Sequence, residues 1–106
     1  MLTLVIISTT FETKKDAEKT AQLLLDERLI ACAQVSSPIT SYYRWECSIA
    51  NSTEFTLTLK TTAKFCEQVT TRLKENHPYD LPEIVIQNGT KGSVEYVKWV
   101  ESEVGG

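Results

Sequence analysis

The chain opens on apolar, largely β-branched positions, Leu2 to Ile7, interrupted only by Thr3, the pattern of a strand covered on both faces. After Thr9-Thr10 the period lengthens. Ala17, Ala21, Leu24 and Leu25 recur at helical spacing to about Arg28, behind Thr13 and Asp16, which are spaced as a loose capping box. Leu29 to Val35 is again strand-like; Ser36-Ser37-Pro38 breaks or bulges it, and Ser41 to Ile49 resumes with Tyr43, Trp45, Cys47 and Ile49 on one face. Together these make one long, bent second strand. Asn51-Ser52 reads as a turn, and Phe55, Leu57 and Leu59 then alternate with Thr56, Thr58 and Lys60 in a third strand with one wet face.

From Ala63 the helical period returns, with Phe65, Val69 and Leu73 at i, i+4 spacing. His77-Pro78 stops it, because the residue before a proline avoids helical geometry, so the second helix should end near Asn76. Glu83 to Gln87 forms a short strand, and past the turn signal Asn88-Gly89 the residues Val94, Val97, Val100 and Val104 outline a last amphipathic helix. The order is βαβ-βαβ, and Ser8-Thr9-Thr10 before the first helix echoes Lys60-Thr61-Thr62 before the second. That order predicts an α+β fold of the ferredoxin-like, split-βαβ kind. It implies an antiparallel sheet with two helices on one face, an extra C-terminal helix, and a long hairpin between the second and third strands. At 106 residues the chain reads as a single domain, 1–106.

The hairpin is too long for such a domain. Each arm of Ser41 to Thr61 gives a ribbon of about 30 Å at the ordinary strand rise, against a radius of gyration of about 13 Å expected for a chain of this size. Its projecting part carries Tyr42, Tyr43 and Trp45, aromatics on both faces. A bare aromatic ribbon with free edges invites association. Neighbouring copies in a closed cyclic oligomer should therefore cover it, with those three residues at the interface. The alternative is that the last helix folds back over it.

Charge and cysteine usage narrow the chemistry. Eleven Lys and Arg against 14 Asp and Glu leave a net charge of −3, which offers a polyanion no attracting field, so neither nucleic acid nor an acidic membrane is expected as a partner. Cys32, Cys47 and Cys66 form neither a complete disulfide framework nor a zinc knuckle, and isolated cysteines more often serve as small buried hydrophobes. Reduced thiols and a cytoplasmic location are the expectation. Leu2 to Ile7 is too short to cross a membrane and lacks signal-peptide flanks. The motifs of serine hydrolases, zinc proteases and nucleotide-binding loops are absent, and a lone histidine without a nucleophile at telling spacing argues against an enzyme. Other roles of the fold fare no better: the loop after the first strand has neither the paired cysteines of a metallochaperone nor the arginine of an acylphosphatase, and the first strand lacks the stacking aromatics of an RNA-recognition module.

A resemblance enters with an ordered set of motifs: Leu29-Ile30-Ala31-Cys32, Tyr42-Tyr43-Arg44-Trp45-Glu46, Lys60-Thr61-Thr62, His77-Pro78-Tyr79-Asp80-Leu81-Pro82-Glu83-Ile84, and Tyr96 with Trp99. In type and spacing the set resembles the CutA divalent-cation tolerance family over almost the whole chain. The resemblance implies a ferredoxin-like subunit in a tight homotrimer, similar in architecture to the PII signalling proteins, and a link to tolerance of copper and other divalent cations. It also implies copper binding through a cysteine at the end of the first strand and a histidine pair before Pro-Tyr. Here those positions are Ser8 and Asn76-His77, so only His77 matches, and a divalent metal such as copper would lack the thiolate and one imidazole.

Two readings remain open for each candidate residue. His77, at the end of the second helix, is either a C-terminal cap or a contact to metal or ligand. Lys60, Tyr79 and Glu83, with Asp80, either line a pocket between subunits, where Lys60 would meet a small anionic ligand, or form an ordinary salt bridge between them. The first reading of function is a trimeric cation-tolerance protein that binds metal weakly or indirectly. The second is a PII-like signalling or scaffold trimer with a small anionic metabolite in its inter-subunit clefts.

Overall fold

A computed structural model describes residues 1–105. The elements are β1 (Leu2–Phe11), α1 (Lys14–Asp26), β2 (Cys32–Val35), β3 (Ile39–Trp45), β4 (Ser48–Thr61), a 3-10 turn (Ala63–Phe65), α2 (Cys66–Asn76), β5 (Ile84–Gly92) and α3 (Val94–Glu103). All five strands are antiparallel to their neighbours: the sheet runs β2-β4-β1-β5, and β3 pairs with the other half of β4. This is the split-βαβ arrangement, with the long second strand divided into β2 and β3 by Ser36-Ser37-Pro38.

Alternation along β1 separates two cores. Val5, Ile7 and Phe11 face α1 and α2 and bury against Ala17, Ala21, Leu24, Val69 and Leu73, with Leu57 and Leu59 of β4 beside them. Leu4 points the other way and packs under Val97 and Val100 of α3. The last helix thus covers the Thr61 end of the sheet, while the hairpin lies at the opposite end of β4, beyond the Phe11–Phe55 pair. Thr13 caps α1 by accepting from the Asp16 amide at 3.1 Å. At its other end Arg28 turns left-handed (φ 56°) so that the Leu29 amide closes on Leu24 at 3.1 Å.

Two turn expectations are corrected. Asn51-Ser52 does not reverse the chain; it lies inside β4, opposite Tyr42 and Ser41. The reversal falls at Glu46-Cys47, a two-residue loop in which both residues have positive φ, 50° and 63°, the geometry that matches the twist of a hairpin. Neither residue is the usual Asn or Gly, so the sequence carries no signal there. Asn88-Gly89 likewise ends nothing. Leu4 pairs with Thr90 and Ile6 with Gln87, so two residues of β5 oppose one of β1, and Gly89 (φ 60°) supplies the left-handed residue of this bulge. β5 therefore runs on to Gly92, and α3 starts behind Ser93, whose Oγ accepts from the Tyr96 amide.

The hairpin projects. Its last seven β4 residues, Ser48 to Glu54, pair with β3 alone, which at about 3.4 Å per residue carries the tip about 24 Å past the last β1 rung. The chain measures 45 × 26 × 23 Å with a radius of gyration of 14.5 Å.

Candidate functional site

The site grows from the proline that stops α2. His77 leaves the helix in extended geometry (φ −80°, ψ 133°), and its ring stacks on Phe11 at 4.3 Å and 10°. Nε2 lies 2.8 Å from the Thr10 carbonyl and 3.1 Å from Thr9 Oγ1. A carbonyl can only accept, so Nε2 carries the proton, and Nδ1 then accepts the Tyr79 amide at 3.1 Å. The ring is a neutral imidazole with both nitrogens in use. Burial lowers its pKa below the ordinary 6.5, against the opposing pull of the Thr10 carbonyl and of Asp16 and Glu54.

Tyr79 carries the arrangement onward. Its ring lies 4.9 Å from that of His77, and its hydroxyl donates to Glu54 Oε2 at 2.9 Å. Burial first, then Glu54, pushes the phenol well above its usual range. Glu54, only 8% exposed, is the sole acidic residue of β4.

Between the hairpin base and the loop from Pro78 to Glu83 lies an open groove of about 940 Å³. Tyr43, Trp45 and Tyr79 give it aromatic walls, Glu12, Glu54, Asp80 and Glu83 give it carboxylates, and no Lys, Arg or His lines it. Tyr43 is fixed by a hydrogen bond from its hydroxyl to Ser52 Oγ at 3.3 Å.

The residues singled out from sequence fall in several places. Tyr79, Asp80 and Glu83 share the groove. Lys60 does not: it reaches Gln34 Oε1 at 2.7 Å and lies six residues along β4 from Glu54, a separation of about 20 Å. Within one chain it cannot meet Tyr79 or Glu83. Ser8 pairs with Thr58 and Val85 on the face opposite Thr9, and therefore opposite His77. Asn76 turns back onto its own helix, donating to the Arg72 carbonyl at 2.9 Å. The three positions that the family resemblance would assign to copper thus point apart, and among the described residues no three His, Cys, Asp or Glu side chains gather as metal ligands would. Tyr43 and Trp45 share the groove face of the ribbon, whereas Tyr42, 74% exposed, shares the other with Arg44 and Ile49. On α3, Tyr96 and Trp99 pair at 5.7 Å, and burial together with Cys32 raises the Tyr96 phenol.

Thr9, Thr10, Glu12 and Glu54 escaped the sequence reading. The only signal for Glu54 was a carboxylate in a strand otherwise made of apolar, Ser, Thr and Lys positions; for Thr9 and Thr10 it was the echoed threonine pair.

An α+β subunit of ferredoxin-like topology with an over-long hairpin is the class this architecture defines. Residues 5–103 match the family described as CutA1 divalent ion tolerance protein. The chain belongs to this family. It is 38% identical over 100 residues to the divalent-cation tolerance protein CutA of Pyrococcus horikoshii, covering 94% of this chain and 97% of that one. Its fold superposes on CutA of Synechococcus elongatus with a TM-score of 0.91 at 34% identity, covering 98% and 92% of the two chains. It superposes on the periplasmic divalent cation tolerance protein CutA of Archaeoglobus fulgidus with a TM-score of 0.89 at 30% identity, covering 94% and 97%. The names of these relatives state tolerance of divalent cations and no catalytic activity. Among the described residues no helix is long and apolar enough to cross a membrane.

Proposed function

We propose that the chain serves divalent-cation tolerance as a homotrimer, with neighbouring copies covering the hairpin. The observation that carries this reading is the ribbon itself: Tyr42, Ile49 and Trp45 are 74%, 72% and 52% exposed on a two-stranded element beyond the reach of its own helices. A two-stranded ribbon is marginal in water by itself, and apolar side chains of this size stay ordered when something packs on them.

Metal handling in this reading is weak or indirect. Copper(II), the ion we propose, would have to take Nδ1 of His77 from the Tyr79 amide, with Ser8 and Asn76 turned elsewhere. A cytoplasmic setting accords with three free cysteines. The anionic-metabolite reading draws no support from this chain's own groove, whose lining is acidic and whose expected cation, Lys60, is engaged with Gln34.

Calorimetric titration with copper(II) tests the reading of the metal. Wild type should bind weakly at pH about 7.5 and lose that binding at about 5.5, because a ligating imidazole must be unprotonated. His77→Ala should bind no more than background. Tight, stoichiometric binding that survives His77→Ala would overturn it and direct attention to Cys32, Cys47 or Cys66.

A further inference from the structure

The groove beside the hairpin has no part in the proposal above, yet its chemistry is specific. Its walls are the rings of Tyr43, Trp45 and Tyr79, and its polar groups are carboxylates, with no cationic side chain to neutralise them. Glu54 sits deepest, more than nine-tenths buried. The Tyr79 hydroxyl occupies its Oε2, while Oε1 accepts no hydrogen bond from any described residue. Since no described buried side-chain oxygen lacks a partner, Oε1 must open on the groove's space. A half-satisfied carboxylate in an aromatic cleft is costly to keep without a donor, and a donor bearing positive charge satisfies it best.

A metal ion is the wrong shape for this site. Divalent ions need several oxygens converging on one point, and among the described residues no such cluster of three exists. Carboxylates distributed along an aromatic cleft match instead a cation whose charges are spaced along an apolar chain. Ammonium groups pair with the acids and stack over ring faces, while methylenes lie against the aromatic walls. The volume, about 940 Å³, falls within the range of small-molecule sites.

We propose that this groove binds a linear aliphatic polyamine, with one ammonium group on Glu54 Oε1 between Tyr43 and Tyr79 and a second toward Asp80 and Glu83. The loop from Pro78 to Glu83 sets the spacing, because the His77 ring pins it to β1 through the Tyr79 amide. Trp45 forms the outer wall. The proposal goes beyond metal tolerance and depends neither on copper binding nor on a trimer.

The test uses the purified full chain, in whatever assembly it forms, titrated with spermidine by calorimetry and followed by the fluorescence of Trp45 in a Trp99→Phe background. Saturable binding with a change in Trp45 emission is expected. Asp80→Asn combined with Glu83→Gln, both surface changes, should weaken it about tenfold or more, as losing charge-assisted hydrogen bonds does. Glu54→Gln should weaken it at least as much, with circular dichroism reporting that the fold is kept. Magnesium chloride at matched ionic strength should neither reproduce the emission change nor displace spermidine beyond ordinary screening. The absence of saturable binding, equal displacement by magnesium, or binding untouched by the double variant would each overturn the proposal.

Discussion

Strand β4 passes through two environments. From Phe55 to Thr61 it lies beside β1, with β2 on its other edge, and Leu57 and Leu59 are completely buried under α1 and α2. From Ser48 to Glu54 it pairs with β3 alone, and Ile49 is 72% exposed. One covalent strand thus belongs at one end to a core that closes within the chain and at the other to a surface the chain leaves open. The difference separates two kinds of stability. The inner half is held by hydrophobic burial against its own helices; the outer half is held by backbone pairing, a few cross-strand contacts such as Tyr43 with Ser52, and whatever packs on it from outside.

Substitutions should tell the two halves apart, and the largest effect belongs to the core. Leu59→Ala removes a fully buried side chain from the sheet-helix cluster, and should cost about 2–5 kcal/mol. Urea unfolding followed by circular dichroism should show the loss directly. Next comes Trp45→Ala, which should leave the secondary structure in place and weaken assembly, since aromatic anchors commonly carry about 2 kcal/mol or more of an interface. Sedimentation over a dilution series would register it as a shift toward lighter species; an unchanged assembly would mean that Trp45 lies outside the contact.

The junction between the halves should respond to pH. His77 is neutral in the fold and its pKa is lowered by burial, so the unfolded chain takes up a proton near the ordinary 6.5 while the folded chain takes it up only at lower pH. Stability from this ring is therefore complete above about 6.5 and declines as the pH falls below that value. Melting temperatures of wild type and His77→Gln, compared between about pH 7.5 and 5.5, should show a steeper acid loss in wild type. Parallel curves would mean the ring is no constraint on the loop. The smallest effect is expected on the outer face of α1 and α2. There Arg72 bridges Glu27 and Glu75 at 2.6 and 3.0 Å with all three side chains partly solvated, and Arg72→Ala should move the melting temperature least of the four.

The inner half was legible in the sequence because burial writes a period. The alternation of Leu57 and Leu59 with threonines, the i, i+4 series on α2 and the stop at Pro78 each follow from one face meeting a core, and each stands in the structure where expected. The outer half carries no such period. With both faces of the ribbon solvated within the chain, its polar residues imitate a turn at Asn51-Ser52, and the real reversal rests on Glu46 and Cys47, whose left-handed backbone no composition rule announces. Asn88-Gly89 carried a true local signal that tertiary pairing used for a bulge instead. The groove was half visible. Tyr79, Asp80 and Glu83 stood out as a loop cluster, but Glu54 arrives from a strand 25 residues away, where only the hydrogen bond to the Tyr79 hydroxyl reveals it. His77 stood out as the only histidine, and its role came from the structure, since nothing local says that Thr9 and Thr10 will lie beneath its ring.

The account's central claim is that the outer half of the hairpin is covered by other copies of the chain, and the solution mass of the wild-type protein at micromolar concentration tests it most directly. Multi-angle light scattering should return three times the 12.0 kDa of the chain, stable on dilution. A mass near 12.0 kDa under the same conditions, with the hairpin still ordered, would contradict it.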